Sequence, residues 1–395
     1  THTDAEGNET IENLGYDSVA RRTSDSARTY IWSWRGELRE AGEGDGSRVA
    51  YTYDAAGRLL TRTHFSDEEE FLSKRRFLWN GAELLGQVGL NFEDVPIWRA
   101  EHLPGPVGLD DSPQIRLTTG MNGDTPVTRI FDLVRDEMGS VVAVFEDLEA
   151  PTDDQPLPPL KARVLYDPYG QAHLEIGPEL RAIEHDSSVT TVNGVEQTAL
   201  DEGPPDNPVV GIAGSVVVAT SMAFDPDTVE TGLTFERWDS DVSAWFELGP
   251  IEVAIGRDDG DATRLQIMPV EGWLEGERYR LTLTTNLTDG YQREFVAPDG
   301  ETQYSVYIAV PADVDATDDP LAGVQREFPL VFDTVTAAAA ALDCEGEPCL
   351  PGGLNLLFQG LWTDPVTGIA YARNRWYDAR TAMWLSEDPL EDIDS

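Results

Sequence analysis

Residues 51–62 read YTYDAAGRLLTR, and this stretch decides the fold class. Tyr51 and Tyr53 are two positions apart, so in a β-strand both rings lie on the same face. The Asp-Ala-Ala-Gly that follows supplies a turn, because Asp accepts backbone hydrogen bonds and Gly tolerates a positive φ. The chain from Leu59 onward then pairs back on the first strand. The stretch therefore predicts a β-hairpin with one aromatic face.

The same pattern recurs along the first 175 residues. Tyr30 and Trp32 precede Tyr51 and Tyr53 by 21 positions each, and a fixed period of about 20 residues is typical of repeats. A single hairpin cannot bury its own apolar face, so such units must stack on their neighbours. The sequence thus predicts a continuous ribbon of hairpins. More degenerate copies occur at 76–85, 131–145 and 164–171.

Composition and charge exclude several classes of protein. The chain has 395 residues, with 35 Gly and 25 Pro, which is typical of a turn-rich β protein. The net charge of −45 excludes a nucleic-acid binder, because phosphate contacts need Lys and Arg. No stretch has the apolar length of a membrane span, so we expect no membrane insertion by this segment. The chain does not start with Met, and we expect a piece of a longer protein.

The two cysteines, Cys344 and Cys349, flank a short loop that contains Gly and Pro. This spacing fits a small local disulfide, free thiols or half of a metal site. The second half of a zinc site is missing, since the five histidines are scattered and none has zinc spacing to the cysteines. We therefore favour the disulfide, and with it an oxidising, extracellular location. We expect no metal and no cofactor.

From about Val209 the sequence changes to short alternating strands, for example 251–255, 264–269 and 278–285. About seven such strands within roughly 100 residues are typical of a β-sandwich. A run with five alanines, Thr334–Leu342, predicts one short helix.

These changes predict five segments in the chain. They are a hairpin sheet (1–175), a linker (176–208), a β-sandwich insertion (209–312), a second linker with the helix and the Cys loop (313–353), and a terminal segment that rejoins the sheet (354–395).

The terminal segment resembles the closing motif of the Rhs core in YD-repeat proteins, which has the form FxGQxxDxxTGLYYxxxRYYDPxxGRFLSxDP. The residues that carry the resemblance are Phe358, Gly360, Asp364, Pro365, Thr367, Gly368, Tyr371, Arg375, Trp376, Tyr377, Asp378, Trp384, Leu385, Ser386, Asp388 and Pro389. The middle of the chain is similar to bacterial Ig-like domains at 263–269 and 274–283.

The resemblance implies an all-β fold, in which a spiral of YD-repeat hairpins forms part of a shell and an Ig-like sandwich is inserted. Members of this family include the encapsulating parts of insecticidal toxin complexes, Rhs polymorphic toxins and teneurins. The implied function is structural: a secreted or cell-surface bacterial shell segment holds or presents a polypeptide. The implied partners are the rest of the shell and an encapsulated C-terminal toxin or other polypeptide.

The resemblance also implies a candidate catalytic pair. In the family, two Asp residues of the closing motif are proposed to act as acid and base on a peptide bond downstream, and the closing motif plugs one end of the shell. The matching positions here are Asp364 and Asp388. Thr363 stands where the toxin-complex branch commonly has Arg, and no Gly follows Pro389. The alternative is that both Asp residues only cap turns.

Two other functions compete with the shell. One is a self-cleaving aspartyl protease motif that releases a C-terminal toxin. The other is a cell-surface adhesion module, in which the Ig-like domain binds a partner or a glycan. Exposed aromatic residues on that domain, such as Trp238, Trp245 or Trp273, would favour adhesion, although tryptophans are core residues by default.

Overall fold

The computed structural model of the chain describes residues 2–3, 9–10, 13–103, 113–121, 125–147, 160–186, 188, 191–192, 195–196, 214–250, 252–258, 261–274, 276–298, 301–310, 326–328, 343–344, 347–348 and 355–388. The chain divides into two compact units. The first unit combines Thr1–Leu174 with Val331–Ser395, and the second unit is Glu175–Leu330.

Among its described residues, the first unit is built from strands and one 3-10 turn, Phe358–Gly360. Its strands are β1 (His2–Thr3), β2 (Glu9–Thr10), β3 (Gly15–Tyr16), β4 (Arg22–Ser24), β5 (Arg28–Trp32), β6 (Leu38–Glu43), β7 (Arg48–Tyr53), β8 (Leu59–Phe65), β9 (Phe71–Asn80), β10 (Glu83–Leu90), β11 (Pro96–Leu103), β12 (Gln114–Thr119), β13 (Val127–Arg135), β14 (Val141–Asp147), β15 (Leu160–Tyr166) and β16 (Ala172–Glu175).

The second unit contains one helix, α1 (Pro226–Gly232), among its described residues. Its strands are β17 (Leu180–Asp186), β18 (Thr191–Val192), β19 (Val195–Glu196), β20 (Ser215–Thr220), β21 (Leu233–Asp239), β22 (Ala244–Glu247), β23 (Val253–Arg257), β24 (Arg264–Pro269), β25 (Arg278–Thr284), β26 (Gln303–Ala309) and β27 (Arg326–Glu327). The chain then returns to the first unit with β28 (Asp343–Cys344), β29 (Glu347–Pro348), β30 (Trp362–Thr363), β31 (Ala370–Ala372), β32 (Arg375–Asp378) and β33 (Met383–Trp384).

Strands β3 to β16 form one sheet of 14 strands, in which each strand lies beside its neighbour in sequence. We call this sheet the wall. The stretch quoted first, 51–62, is the antiparallel hairpin of β7 and β8. The predicted all-β class is confirmed, because the described chain consists of antiparallel sheets with a single short helix.

The hairpin turns are fixed by the residues that the sequence pattern emphasised. The Oδ1 atom of Asp54 accepts hydrogen bonds from the backbone N–H of Ala56 at 2.8 Å and of Arg58 at 3.0 Å. Gly57 has a φ of 79°, a value that glycine adopts without strain. Asp136 accepts the same two bonds in the β13–β14 turn. The Tyr-Asp pattern therefore specifies the turns of the hairpins as well as the positions of their aromatic side chains.

One face of the wall is buried and the other is exposed, as period-two alternation requires. On β7, Val49 and Tyr51 are buried while Thr52 is exposed. On β9, Arg75 and Phe77 are buried in the same alternation. The buried face therefore includes arginine as well as aromatic and aliphatic side chains.

In the second unit two larger sheets enclose one core, and β18 and β19 form a further two-stranded sheet. The five-stranded sheet has the order β23-β24-β20-β17-β27, and the four-stranded sheet has the order β22-β21-β25-β26. Both sheets contribute side chains to one hydrophobic cluster. In its centre Trp273 lies 5.7 Å from Phe235 and 5.0 Å from Tyr279, measured between ring centroids. This arrangement is that of a sandwich, and its relation to Ig-like domains stays a prediction.

Several features differ from the sequence prediction or lie outside it. Strand β17 is a central strand of the five-stranded sheet, although it falls within the predicted linker 176–208. Helix α1 was not predicted; it begins with Pro226 after Asp225, whose side chain accepts a hydrogen bond from a backbone N–H of the first turn. The predicted helix Thr334–Leu342 lies outside the described residues.

The helices of the described part of the chain lack the length and apolar character that crossing a membrane requires.

Candidate functional site

Residues 355–388, which we call the closing segment, lie against the buried face of the wall. The phenol of Tyr371 accepts a hydrogen bond from the backbone N–H of Leu59 at 3.0 Å. The indole N–H of Trp376 donates to the phenol oxygen of Tyr53 at 3.0 Å, and its ring centroid is 4.7 Å from that of Tyr51. The closing segment therefore packs on the hairpin of β7 and β8, from which it is separated by about 300 residues of sequence.

Contacts with later strands extend this interface across the wall. The indole N–H of Trp362 donates to Oε1 of Gln87 on β10 at 3.1 Å. The ring of Trp362 meets that of Phe77 edge-on at 4.8 Å. The backbone N–H of Gln359 donates to the hydroxyl of Ser140, beside β14, at 3.0 Å. A single segment thus bonds to strands from β7 to β14.

The wall curves around the closing segment. The phenol of Tyr377 donates to the backbone oxygen of Tyr169 at 2.8 Å, beyond β15, while Asp378 bonds to Arg22 on β4. Eleven strand positions separate β4 from β15 in the sheet order. In a flat sheet they would be about 50 Å apart. Tyr377 and Asp378 are consecutive residues, yet one contacts the chain just beyond β15 and the other contacts β4. The sheet must therefore curve until its two ends lie close together.

The space left between these ends is small and lined by both polar and apolar residues. A cavity of about 290 Å³ is lined by Arg28 and Glu43 on one side and by Gly170 to Ala172 on the other. This volume has room for about ten water molecules. In the described part of the first unit, the buried face of the wall is occupied by the closing segment of the chain itself.

Three arginines with no solvent exposure fix the closing segment, and we call them the buried arginines. Their bonds are Arg22 to Asp378 at 2.7 Å, Arg62 to Asp364 at 3.1 Å, and Arg75 to the side-chain oxygen of Asn355. A buried charge without a partner costs several kcal/mol, whereas a paired and hydrogen-bonded one is tolerated. Each buried arginine therefore joins the closing segment to the wall through a buried bond.

Asp364 is the most completely bonded residue of the closing segment. Its carboxylate accepts from Arg62 and from the phenol of Tyr51 at 3.0 Å, and Oδ1 also accepts from the backbone N–H of Val366 and Thr367. Burial acts to raise the pKa of Asp364, but the charge of Arg62 and these hydrogen bonds outweigh it and hold the pKa below its usual value. Asp364 is therefore an ionised carboxylate that also caps a turn.

Asp388 has a different environment. Its side chain is 46% exposed and bonds to the guanidinium of Arg375 at 3.0 Å. It lines an open groove of about 750 Å³ together with Tyr371 and Trp376. Asp364 and Asp388 thus belong to one segment but bond to different arginines, one buried and one partly exposed. Their pairing as acid and base stays a prediction.

The remaining candidates from the sequence are distributed over both units. The predicted disulfide lies outside the described residues, because Cys349 and the side chain of Cys344 are not described. Trp273 is fully buried in the core of the second unit, whereas Trp238 and Trp245 are half-buried neighbours with ring centroids 5.3 Å apart. Within the described residues, no His, Cys, Asp and Glu side chains form a group that could hold a metal ion.

The buried arginines are not predicted from the sequence. Arg75 could have been found, because it is two positions before Phe77 and alternation places both on one face. Arg62 could not, because a register shift between Thr52 and Tyr53 changes the alternation in this hairpin.

Gly170 is a position where a methyl group would disturb the closing segment. An added Cβ would lie 2.4 Å from the ring of Phe358, and the φ of Gly170 is +91°. We expect Gly170→Ala to lower the free energy of unfolding by about 2–4 kcal/mol, measured by urea titration. Gly139→Ala is the matched control, since its φ is +86° and no atom lies within 4 Å of the added Cβ. Equal losses in both variants would contradict the contact with Phe358.

Comparisons with known proteins give weak likenesses only. No family model matches the chain, and no curated protein matches it. Among solved structures, the chain is similar to the crystal structure of TcdB2-TccC3-Cdc42, with 12% identity, a TM-score of 0.27, and coverage of 100% of this chain and 20% of the other. It is similar to that of TcdB2-TccC3-TEV, with 12% identity, a TM-score of 0.26, and coverage of 100% and 20%.

A third likeness is to a Photorhabdus luminescens Tc holotoxin pore with a substitution in TccC3, with 11% identity, a TM-score of 0.26, and coverage of 99% of this chain and 19% of the other. The chain spans about a fifth of the length of these three chains. Scores this low do not establish a shared fold.

Proposed function

We propose that this chain is the closed end of a bacterial YD-repeat shell of the Rhs type, secreted or at the cell surface, which holds or presents a polypeptide. The observation that carries the proposal is the curved wall of 14 strands with the closing segment on its buried face. In this role the closing segment is the plug, and the rest of the shell and a polypeptide cargo are the partners.

The geometry of the first unit supports a closing segment that fills the wall rather than a wall that encloses a cargo. The space beside the closing segment is about 290 Å³, which is too small for a folded cargo. The bonds of the buried arginines join the plug to β4, β8 and β9. The plug cannot leave without breaking these buried bonds and exposing the aromatic contacts of Trp362 and Trp376 with the wall to water. Cargo would therefore lie along further turns of the spiral.

The test asks whether the wall holds the closing segment without a covalent link. A recognition sequence for a specific protease is inserted between Gly352 and Gly353 in the full chain, and the purified protein is cleaved. We expect the fragment that starts at Gly353 to co-elute with the rest of the chain in size-exclusion chromatography until urea unfolds the first unit.

The control is the same cleaved protein with Arg62→Ala, from which we expect the fragment to be released at a lower urea concentration. Release of the fragment from the otherwise unchanged protein in native buffer would contradict the proposal, because a wall that cannot retain its own plug cannot close a shell.

A further inference from the structure

The outer face of the four-stranded sheet in the second unit carries aromatic side chains that the core does not use. Trp238 and Trp245 lie directly opposite each other on β21 and β22. The ring centroid of Tyr307 on β26 is 5.9 Å from that of Trp245, and Tyr307 is 63% exposed. The other face of the same sheet supplies Phe235 and Tyr279 to the core. We call the group of Trp238, Trp245 and Tyr307 the aromatic face.

Two charged groups lie within the aromatic face. Glu236, Arg280 and Tyr307 are paired across β21, β25 and β26 in one row. The guanidinium of Arg280 donates two hydrogen bonds to the carboxylate of Glu236, at 2.5 and 2.7 Å, and lies 4.9 Å above the ring of Trp245. The aromatic rings therefore alternate with planar polar groups whose charges cancel.

We propose that the aromatic face is a binding site for a neutral oligosaccharide. The faces of aromatic rings carry negative charge density, so they attract the C–H groups on one side of a sugar ring. Carboxylate and guanidinium groups form strong hydrogen bonds with hydroxyl groups, and Glu236 and Arg280, which bond to each other, lie beside the rings. A sugar would thus contact apolar and polar groups together, as small ligands do in proteins.

Charge decides which class of sugar fits. The chain carries a net charge of −45, and the carboxylates of Glu236 and Glu247 lie opposite each other across β21 and β22. An anionic sugar would be repelled by this field. A cationic ligand would compete with Arg280 for the face of Trp245. A neutral ligand is not repelled by this field.

The angles between the ring planes restrict which shape of ligand can contact all three rings. The planes of Trp238 and Trp245 are 66° apart, and those of Trp245 and Tyr307 are 55° apart. These rings do not form a flat platform, so a flat insoluble polysaccharide surface could contact only one of them at a time. A soluble oligosaccharide with a bent chain can contact successive rings.

The competing explanation is that the aromatic contacts only stabilise the sheet. Cross-strand aromatic pairs contribute up to about 1 kcal/mol to a sheet without any ligand. In that case the aromatic face binds no sugar, and its residues affect stability alone. A titration with sugars distinguishes the two explanations, because only a binding site would give a saturable change in the signal.

The experiment titrates the full chain with neutral hexasaccharides of glucose, N-acetylglucosamine, xylose and mannose, and with heparin as the anionic probe, while tryptophan fluorescence is recorded. We expect at least one neutral hexasaccharide to shift the emission with a saturable curve, and heparin to give none. We expect Trp245→Ala to weaken that binding by about tenfold or more, equivalent to ~1.4 kcal/mol.

Phe246→Ala is the matched control, because Phe246 is the next residue on β22, is 50% exposed, and points to the other side of the strand. Calorimetry on both variants checks that they remain folded. The proposal is overturned by the absence of binding to every neutral sugar, by preference for heparin, or by equal loss of binding in Trp245→Ala and Phe246→Ala. The result is independent of the shell function, which the cleavage experiment tests separately.

Discussion

Replacing Arg62 by alanine is expected to lower the free energy of unfolding of the first unit by about 3–5 kcal/mol. The change leaves the carboxylate of Asp364 fully buried without its guanidinium partner. A buried carboxylate that has lost its counter-charge is far more costly than an exposed one, because the interior solvates it poorly. Urea titration followed by tryptophan fluorescence measures the loss.

The matched control is an exposed ion pair on the same wall. Arg129 bonds to Glu146 at 2.6 and 2.9 Å, but its side chain is 44% exposed. Arg129→Ala should cost at most about 1 kcal/mol, since solvent screens such pairs. The double replacement Arg62→Met with Asp364→Leu removes both charges but leaves the donors of Tyr51, Val366 and Thr367 without this acceptor, so it should recover only part of the lost stability. A loss in Arg62→Ala no larger than in Arg129→Ala would contradict the importance of this pair.

The same pair predicts how stability depends on pH. The pKa of Asp364 is lower in the folded protein than the ordinary value of 3.8 for an aspartate. The stability that its ionised form contributes is therefore fully present above pH 3.8 and is lost as the pH falls through the lower, folded value. A comparison of unfolding curves below pH 4 should show a steeper acid loss for the wild type than for Asp364→Asn, which has no group to protonate.

The sequence was most informative where local chemistry determines the structure. The aromatic spacing of Tyr51 and Tyr53 and the turn at Asp54 are decided within a few residues, so the hairpin of β7 and β8 could be predicted from them. Their sheet neighbours follow in chain order, which the repeat also predicts. The all-β class depends on these local rules alone.

Other features depend on contacts between distant residues, which a single sequence does not reveal. Nothing near Arg62 indicates that its partner is Asp364, because the two positions are 302 residues apart. Strand β17 gave no strong signal of its own and belongs to its sheet through pairing with β20. Similarly, Asp364 and Asp388 share one motif in sequence, yet the fold gives them different partners.

Trp376→Ala is expected to have an effect of similar size, a loss of about 3–5 kcal/mol in the free energy of unfolding. Trp376 is 2% exposed, and its ring lies 4.7 Å from Tyr51, 5.0 Å from Tyr371 and 6.2 Å from Trp362. Alanine removes all of these contacts and leaves a cavity between the closing segment and the wall. It also removes the indole donor from the buried phenol of Tyr53.

Trp384→Ala is the matched control from the same segment. Trp384 is 40% exposed and contacts Tyr377 and Arg375 near the surface, so its loss should cost no more than about 1 kcal/mol. Hydrogen exchange gives a second readout. The amide of Leu59 bonds to Tyr371, beside Trp376, and should exchange faster in Trp376→Ala but not in Trp384→Ala. Equal stability and equal exchange in the two variants would mean that the closing segment does not stabilise the hairpin of β7 and β8. That result would contradict the proposal that the closing segment is a plug.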